Sequence, residues 1–232
     1  MQLQGIVRAL LGAAGLAGCI AGLTLHAPAA AQQQGQPITI TRSAPVAPSL
    51  AGTVAMPIKA QRFNASWERA RRDASHMPQM MRLIAPARGY TRDQQIAYVQ
   101  RAVHHNIRWI SDATEYGRHD YWASAAETLA RRAGDMEDRA IVKMQALKSL
   151  GVPTRDLYMT MGRDTVGGPI TVLIVRSGKR YFMLDDNGGT PVEVDRRPEF
   201  QPLITLGYGA SWVHGQRVAK ARPGPTSTAA AG

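Results

Sequence analysis

Residues 134–153, GDMEDRAIVKMQALKSLGVP, predict a capped helix around which the rest of the fold is organised. Asp135 is a favourable N-cap, and the acids that follow it suit the positive end of the helix dipole. Apolar residues then recur at helical spacing, and Gly151 followed by Pro153 is a stop signal. Capping explains the acids. It gives no structural reason for Met136, an apolar thioether placed among them.

Three further helical patterns precede this stretch, at residues 64–77, 91–110 and 124–133. The second and the third begin with a capping-box pattern, in which Ser or Thr is followed three residues later by Gln or Glu. The pairs are Thr91 with Gln94 and Ser124 with Glu127. A polar loop, predicted as irregular, joins these two helices.

After Pro153 the pattern changes to short β-rich runs. Strands are predicted at residues 156–162, 169–177 and 180–186, with a short edge strand in 191–194. The sequence RSGKR between the second and third runs predicts a tight hairpin turn. Helices followed by an antiparallel sheet predict an α+β domain, with the N-terminal helices packed on a small antiparallel β-sheet.

The first 31 residues have the pattern of an export signal and are set apart from the folding argument. Arg8 precedes the apolar run ALLGAAGLAGCIAGLTL, and the small residues before Gln32 suit cleavage after Ala31. A competing lipoprotein box, LAGC, would place a lipid on Cys19, but the apolar residues that continue to Leu25 favour simple cleavage. After cleavage we expect a periplasmic or secreted protein without a stable transmembrane helix.

Segments of low periodicity flank one predicted domain. Residues 32–60 are rich in Gln, Pro, Ala, Ser and Thr and predict a flexible linker. Residues 221–232, ARPGPTSTAAAG, predict a disordered tail. The part between them, residues 61–220, has a normal size for a single core.

Charge and cysteine content exclude several classes of function. Cys19 is the single cysteine, so a chain cleaved after Ala31 has none, which excludes disulfides, zinc-thiolate sites and thiol catalysis. The net charge is +11, but the basic residues form small scattered groups without interleaved aromatics, so nucleic acid is not an expected partner. Such groups suit solvated faces or weak attraction to anionic polymers of the cell envelope.

A series of motifs runs from residue 111 to residue 187: SDATEYGRHDYWASAAETLARRAGDMEDRAIVKMQALKSLGVP, then PITVLIV and YFMLDDN. Their order and spacing resemble the bacterial transglutaminase-like cysteine peptidases of the papain/transglutaminase superfamily. The pattern of that family is SD…YG..D.W..P.E.L..G.GDCEDYA..K...L..LGVP, followed by strands with HAVL and LDN. The resemblance covers roughly residues 100–215, including the closing segment FQPLITLGYGASWVHG, and implies a papain/transglutaminase-like fold.

At the catalytic positions the chain departs from the family. The resemblance places the family's cysteine at Met136 and its histidine at Ile170, or at Pro169 if the gap is placed otherwise. The third member is retained as Asp185, with Asp186 as a close alternative. Because a thioether has no ionisable proton and isoleucine cannot transfer one, the chemistry of the family is predicted to be lost.

The resemblance also implies a metal, since the family includes a calcium-dependent periplasmic protease with ligands from the acids beside its cysteine. The corresponding acids here are Asp135, Glu137 and Asp138. Calcium takes about six to eight oxygens, so loop groups such as Asp112, Glu115 or Asp120 would have to contribute. Helix capping accounts for the same three acids without a metal, and both explanations stay open.

The leading interpretation is an exported, non-catalytic domain that binds a peptide or protein segment in the envelope without cutting it. This interpretation requires no cofactor. One alternative is a hydrolase with altered, metal-assisted chemistry. The other is a basic structural protein associated with the envelope.

Overall fold

The computed structural model describes residues 46–118 and 120–216, in which helices precede most of the sheet. The helices are α1 (Asn64–Ala70), α2 (Pro78–Ile84), α3 (Arg92–Asn106), α4 (Asp112–Tyr116), α5 (Ala125–Arg131) and α6 (Met136–Ser149). The strands are β1 (Val54–Ile58), β2 (Arg108–Trp109), β3 (Ala133–Gly134), β4 (Leu157–Asp164), β5 (Gly168–Ser177), β6 (Arg180–Leu184), β7 (Val192–Glu193), β8 (Phe200–Gly207) and β9 (Ser211–Gly215). Short 3-10 turns lie at Gln61–Phe63, Ala85–Ala87, Thr154–Asp156 and Val194–Arg196.

Local signals determine where two of the longer helices begin. At α3 the backbone N–H of Gln94 donates to the Thr91 hydroxyl, and the Gln94 side chain accepts from the Thr91 N–H at 3.0 Å. At α5 the same reciprocal pair forms between Ser124 and Glu127, with the Ser124 N–H donating at 2.8 Å. The structure confirms both predicted capping boxes.

Two helical patterns give shorter helices than predicted. The helix α3 ends at Asn106, because Ile107 is extended and the next two residues pair with β3 as strand β2. The pattern at residues 64–77 yields α1, which ends at Ala70, and the separate helix α2 starts at Pro78. Proline suits that first position, since its missing N–H would have no partner inside the helix.

Seven strands of the described residues form one sheet in the order β1-β9-β8-β4-β5-β6-β7, with every neighbouring pair antiparallel. The β5–β6 hairpin has the predicted tight turn, in which Gly178 has a φ of +63°. A separate parallel pair, β2 with β3, places Trp109 opposite Gly134. This pair ties the end of α3 to the start of α6.

The prediction of a linker over residues 32–60 is wrong for its last part. Strand β1 lies inside it and pairs along its whole length with β9, from Val54 opposite Gly215 to Ile58 opposite Ser211. Leu50, just before it, is fully buried. Periodicity did not reveal this strand, because its partner lies at the other end of the domain. The predicted signal (1–31), the first part of the linker and the predicted tail (221–232) lie outside the described residues.

Helix α6 is central to the larger of two cores. It packs against α3, α5, β4 and β5, and it buries Ile141, Met144 and Leu147 completely. Burial of each such side chain stabilises the fold by about 1.5–3 kcal/mol. The opposite face of the sheet carries a second cluster: Leu50, Tyr158, Val172, Ile174, Met183, Val194, Phe200 and Trp212. No helix within the described parts of the chain is long and apolar enough to cross a membrane.

Candidate functional site

The candidate site lies at the N-terminal end of α6, which faces strand β5. Asp135 caps the helix, and one of its carboxylate oxygens accepts the N–H groups of Glu137 at 3.1 Å and Asp138 at 3.2 Å. Met136 is the first helical residue, and its Sδ accepts the backbone N–H of Thr171 at 3.2 Å. The thioether therefore contacts the backbone of the facing strand directly.

The residue of β5 that faces the helix start is Thr171. Its side chain is buried, and its hydroxyl donates to Glu137 Oε1 at 2.7 Å. Ile170 packs instead with the second cluster on the other face of the sheet, because adjacent strand residues point to opposite faces. Pro169 is exposed. The structure thus does not bring Ile170 to Met136.

The two acids after β6 have different roles. Asp185 accepts from Arg197 Nη1 at 3.1 Å and from Asn187 Nδ2 at 3.0 Å, both on its Oδ2. Asp186 accepts from Arg139 Nη1 at 2.6 Å. Arg139 lies about one turn after Met136 on α6. Through this hydrogen bond, Asp186 is the acid whose side chain is linked to the helix that carries the candidate site.

Two buried basic residues of α6, Arg139 and Lys143, contact the segment that carries Asp185 and Asp186. Arg139 is only 4 % exposed and also donates to the carbonyls of His104 and Ile107 at 3.2 and 3.0 Å. Lys143 donates to the Asp185 carbonyl, and burial lowers its pKa to about 8. Burial also raises the pKa of Asp186, although Arg139 acts in the opposite direction. Neither buried basic residue was predictable from the sequence, since charged residues on a helix usually point to solvent.

A cluster of three acids forms on the other side of the helix start. Asp112, Asp135 and Asp138 each place a carboxylate oxygen within 4.8 Å of the other two. Asp112 Oδ2 accepts the N–H of Tyr121 at 2.5 Å, and Asp138 Oδ1 accepts that of Ala123 at 2.7 Å. The second oxygens of Asp112 and Asp138 are buried and have no hydrogen-bond partner in the described part of the chain. Two polar atoms thus lack the partner that buried groups require.

The electrostatics of this cluster favour a bound cation. Burial, and then the neighbouring carboxylates, raise the pKa of Asp135 to about 8 and that of Asp138 to about 7. A hard divalent cation relieves both effects, and carboxylate oxygens are the ligands that calcium prefers. Glu115 Oε2 is a further buried oxygen without a partner among the described residues. The donor set fits calcium, with Asp112 replacing Glu137 in the predicted group, because Glu137 points to Thr171 instead.

An exposed aromatic residue lies beside the site. Trp109 is 53 % exposed and pairs with Gly134, two residues before Met136. Trp122 is buried and stacks on Phe63. Trp109 is therefore the tryptophan of this region that a bound segment can reach.

None of the histidines in the described residues hydrogen-bonds to Met136 or Thr171. His104 contacts Arg139, and His214 is buried between threonines at the other side of the sheet. His119 lies outside the described residues. The contact between the helix start and β5 consequently has neither a thiol nor an imidazole.

The domain is similar to a known protein family and to solved structures. A model of the family described as bacterial transglutaminase-like cysteine proteinase matches residues 51–199, more than half of the chain. A comparison with curated protein sequences found no significant match. Among solved structures, LapG of Legionella pneumophila is similar, with a TM-score of 0.51 and 23 % identity over 58 % of this chain and 75 % of LapG. Its EGTA-treated and calcium-bound structures have the same TM-score. The likeness to LapG shows the fold.

Proposed function

The chain belongs to the bacterial transglutaminase-like cysteine proteinases, and we propose that it is a non-catalytic member that binds a peptide or protein segment without cleaving it. The observation that carries this proposal is the contact between Met136 Sδ and the Thr171 N–H at 3.2 Å. In this family the start of the corresponding helix provides a thiolate nucleophile. A thioether at that place cannot form a thioester.

The geometry also supports a revised assignment of the other two positions. Thr171 faces Met136 and thus takes the place of the family's histidine, while Asp186 takes that of the third member. A threonine hydroxyl is too weak a base to accept a proton near neutral pH, so Thr171 cannot act as the family's histidine does, and the Asp186 carboxylate accepts instead from Arg139. The nucleophile and base positions are therefore without a competent group, and Cys19 lies in the predicted signal segment.

Binding is the function that this arrangement retains. Trp109 presents a large, amphipathic surface beside the helix start, and tryptophan is enriched at the centres of protein interfaces. The bound segment belongs to the cell envelope in this proposal, since residues 1–31 have the pattern of an export signal. Calcium binds at Asp112, Asp135 and Asp138 and holds the loop that carries α4 against the start of α6. The calcium-bound form of LapG supports this part of the proposal.

Catalysis is tested with fluorescein-labelled casein, in calcium and in EGTA. We expect no turnover by the unaltered protein. The double variant Met136→Cys/Thr171→His restores the two missing groups on facing elements and is expected to gain thiol-sensitive hydrolysis. Met136→Cys/Ile170→His is the matched control, because its histidine lies on the opposite face of the sheet. Turnover by the unaltered protein that resists thiol reagents would overturn the proposal.

Binding is tested with peptides selected from a random display library on the unaltered protein. Binding is followed by the fluorescence anisotropy of the labelled peptides, a readout that does not depend on Trp109, the exposed tryptophan among the described residues. Trp109→Ala should weaken binding at least tenfold. Leu203→Ala, a similar loss of exposed apolar surface on β8, should leave it unchanged. Equal effects of the two variants would contradict a binding site beside Met136.

A further inference from the structure

A cavity of about 260 Å³ lies between α2, α3 and α5. Arg82 of α2 and Arg132 after α5 line it, together with Gln79 and Asn106. We propose that this cavity binds a small oxyanion, a phosphate or carboxylate group, between the guanidinium groups of Arg82 and Arg132. The site is separate from the contact between Met136 and Thr171, and the proposal is independent of the function proposed above.

The charges of the cavity point to an anion. Neither guanidinium has a carboxylate partner within 4.0 Å among residues 46–118 and 120–216. Both side chains are exposed at the cavity, and an anion bound between them would be attracted by both charges. The planar fork of a guanidinium matches the geometry of carboxylates and phosphates, to which it can donate two parallel hydrogen bonds.

The cavity also has a suitable size and polar neighbours. Its volume of about 260 Å³ accommodates a phosphate or a short dicarboxylate with a few waters. Asn106 donates one amide hydrogen to the Ala102 carbonyl at 2.8 Å, which leaves its second amide hydrogen for a ligand. The Tyr98 hydroxyl donates to the Leu83 carbonyl at 2.9 Å and so is not a donor to the cavity.

The backbone of Arg132 provides an independent observation. Its φ is +53° and its ψ is 34°, a left-handed conformation that costs free energy for any residue with a Cβ. The conformation is held by two hydrogen bonds, from Arg132 N to the Thr128 carbonyl and from Arg108 N to the Arg132 carbonyl. Glycine is the common residue at such a helix end. A strained arginine here is explained if its side chain has a binding role.

The test is a titration of the full chain with inorganic phosphate and, separately, with malonate. Both are measured by calorimetry and by thermal unfolding in calcium-free buffer at constant ionic strength, with sodium chloride as the reference. We expect an anion-specific rise in melting temperature. A response to phosphate alone identifies a phosphate site, and a response to malonate alone identifies a carboxylate site. Arg82→Gln and Arg132→Gln should each lower the affinity at least tenfold, whereas Arg101→Gln, an exposed charge on α3 outside the cavity, should not.

Arg132→Gly separates binding from folding. It relieves the left-handed strain, so the melting temperature without ligand should rise by about 3 °C, while the anion response is lost. If Arg132 served only to stabilise the C-terminal end of α5, the same variant would show an unchanged anion response. Stabilisation by phosphate and malonate no greater than by chloride, or equal in Arg101→Gln and Arg82→Gln, would overturn the proposal.

Discussion

Removal of the Asp186 carboxylate should destabilise the protein strongly. In Asp186→Ala the guanidinium of Arg139, which is 4 % exposed, loses its charged partner at 2.6 Å. Breaking a buried ion pair from one side costs about 3–5 kcal/mol. Because Arg139 keeps its hydrogen bonds to the carbonyls of His104 and Ile107, we expect a loss at the lower end of this range, about 3 kcal/mol. For a domain of this size that is a fall in melting temperature of about 6–12 °C.

The same reasoning predicts that the pair as a whole contributes little. Burial raises the pKa of Asp186 in spite of Arg139, so the loss of hydration exceeds the attraction between the two charges. The double variant Arg139→Met/Asp186→Ala should therefore recover most of the stability that Asp186→Ala loses.

The assay is urea unfolding of the unaltered protein, both single variants and the double variant, read as a double-mutant cycle. We expect a coupling free energy of at least about 2 kcal/mol, at the upper part of the range for contacting residues. Additive losses in the two single variants would refute the reasoning. So would a loss below about 1 kcal/mol in Asp186→Ala, since that is the value of an exposed pair.

Three further outcomes are expected. Calcium at about a hundred times its Kd should add about 2.7 kcal/mol to the free energy of unfolding. The variant Asp112→Asn removes one negative charge from the acidic cluster and should reduce this gain. Both are measured by thermal unfolding with and without EGTA. Burial lowers the pKa of His214 below its usual 6.5, so its neutral form adds stability above that pH, and this is lost as the pH falls through the lower folded value. Between pH 7 and pH 5 the unaltered protein should consequently lose more unfolding free energy than His214→Gln; equal losses would exclude this role of the histidine. Gly134→Ala should lower the free energy of unfolding by at least about 2 kcal/mol, because the added Cβ would lie 2.6 Å from the Cβ of Asp138. A urea midpoint close to that of the unaltered protein would contradict this prediction.

Much of the fold was predictable because its signals are local. The cap Asp135 and its helix, the capping box at Thr91 and the β5–β6 turn at Gly178 each depend on residues a few positions apart. The order of the motifs also identified the family and placed Met136 at the helix start. By contrast, β1 was missed, because it is defined by a strand distant in sequence rather than by its own pattern.

By itself, the sequence determined the α+β class, the family and a capped helix that begins at Met136, with Cys19 as the single cysteine of the chain. Only the tertiary structure decided which residues face that helix start. A shift of one residue along a strand reverses the face, so Thr171 rather than Ile170 contacts Met136. Asp112 joins the acidic cluster, and Asp186 joins Arg139, through folding of segments that are distant along the chain.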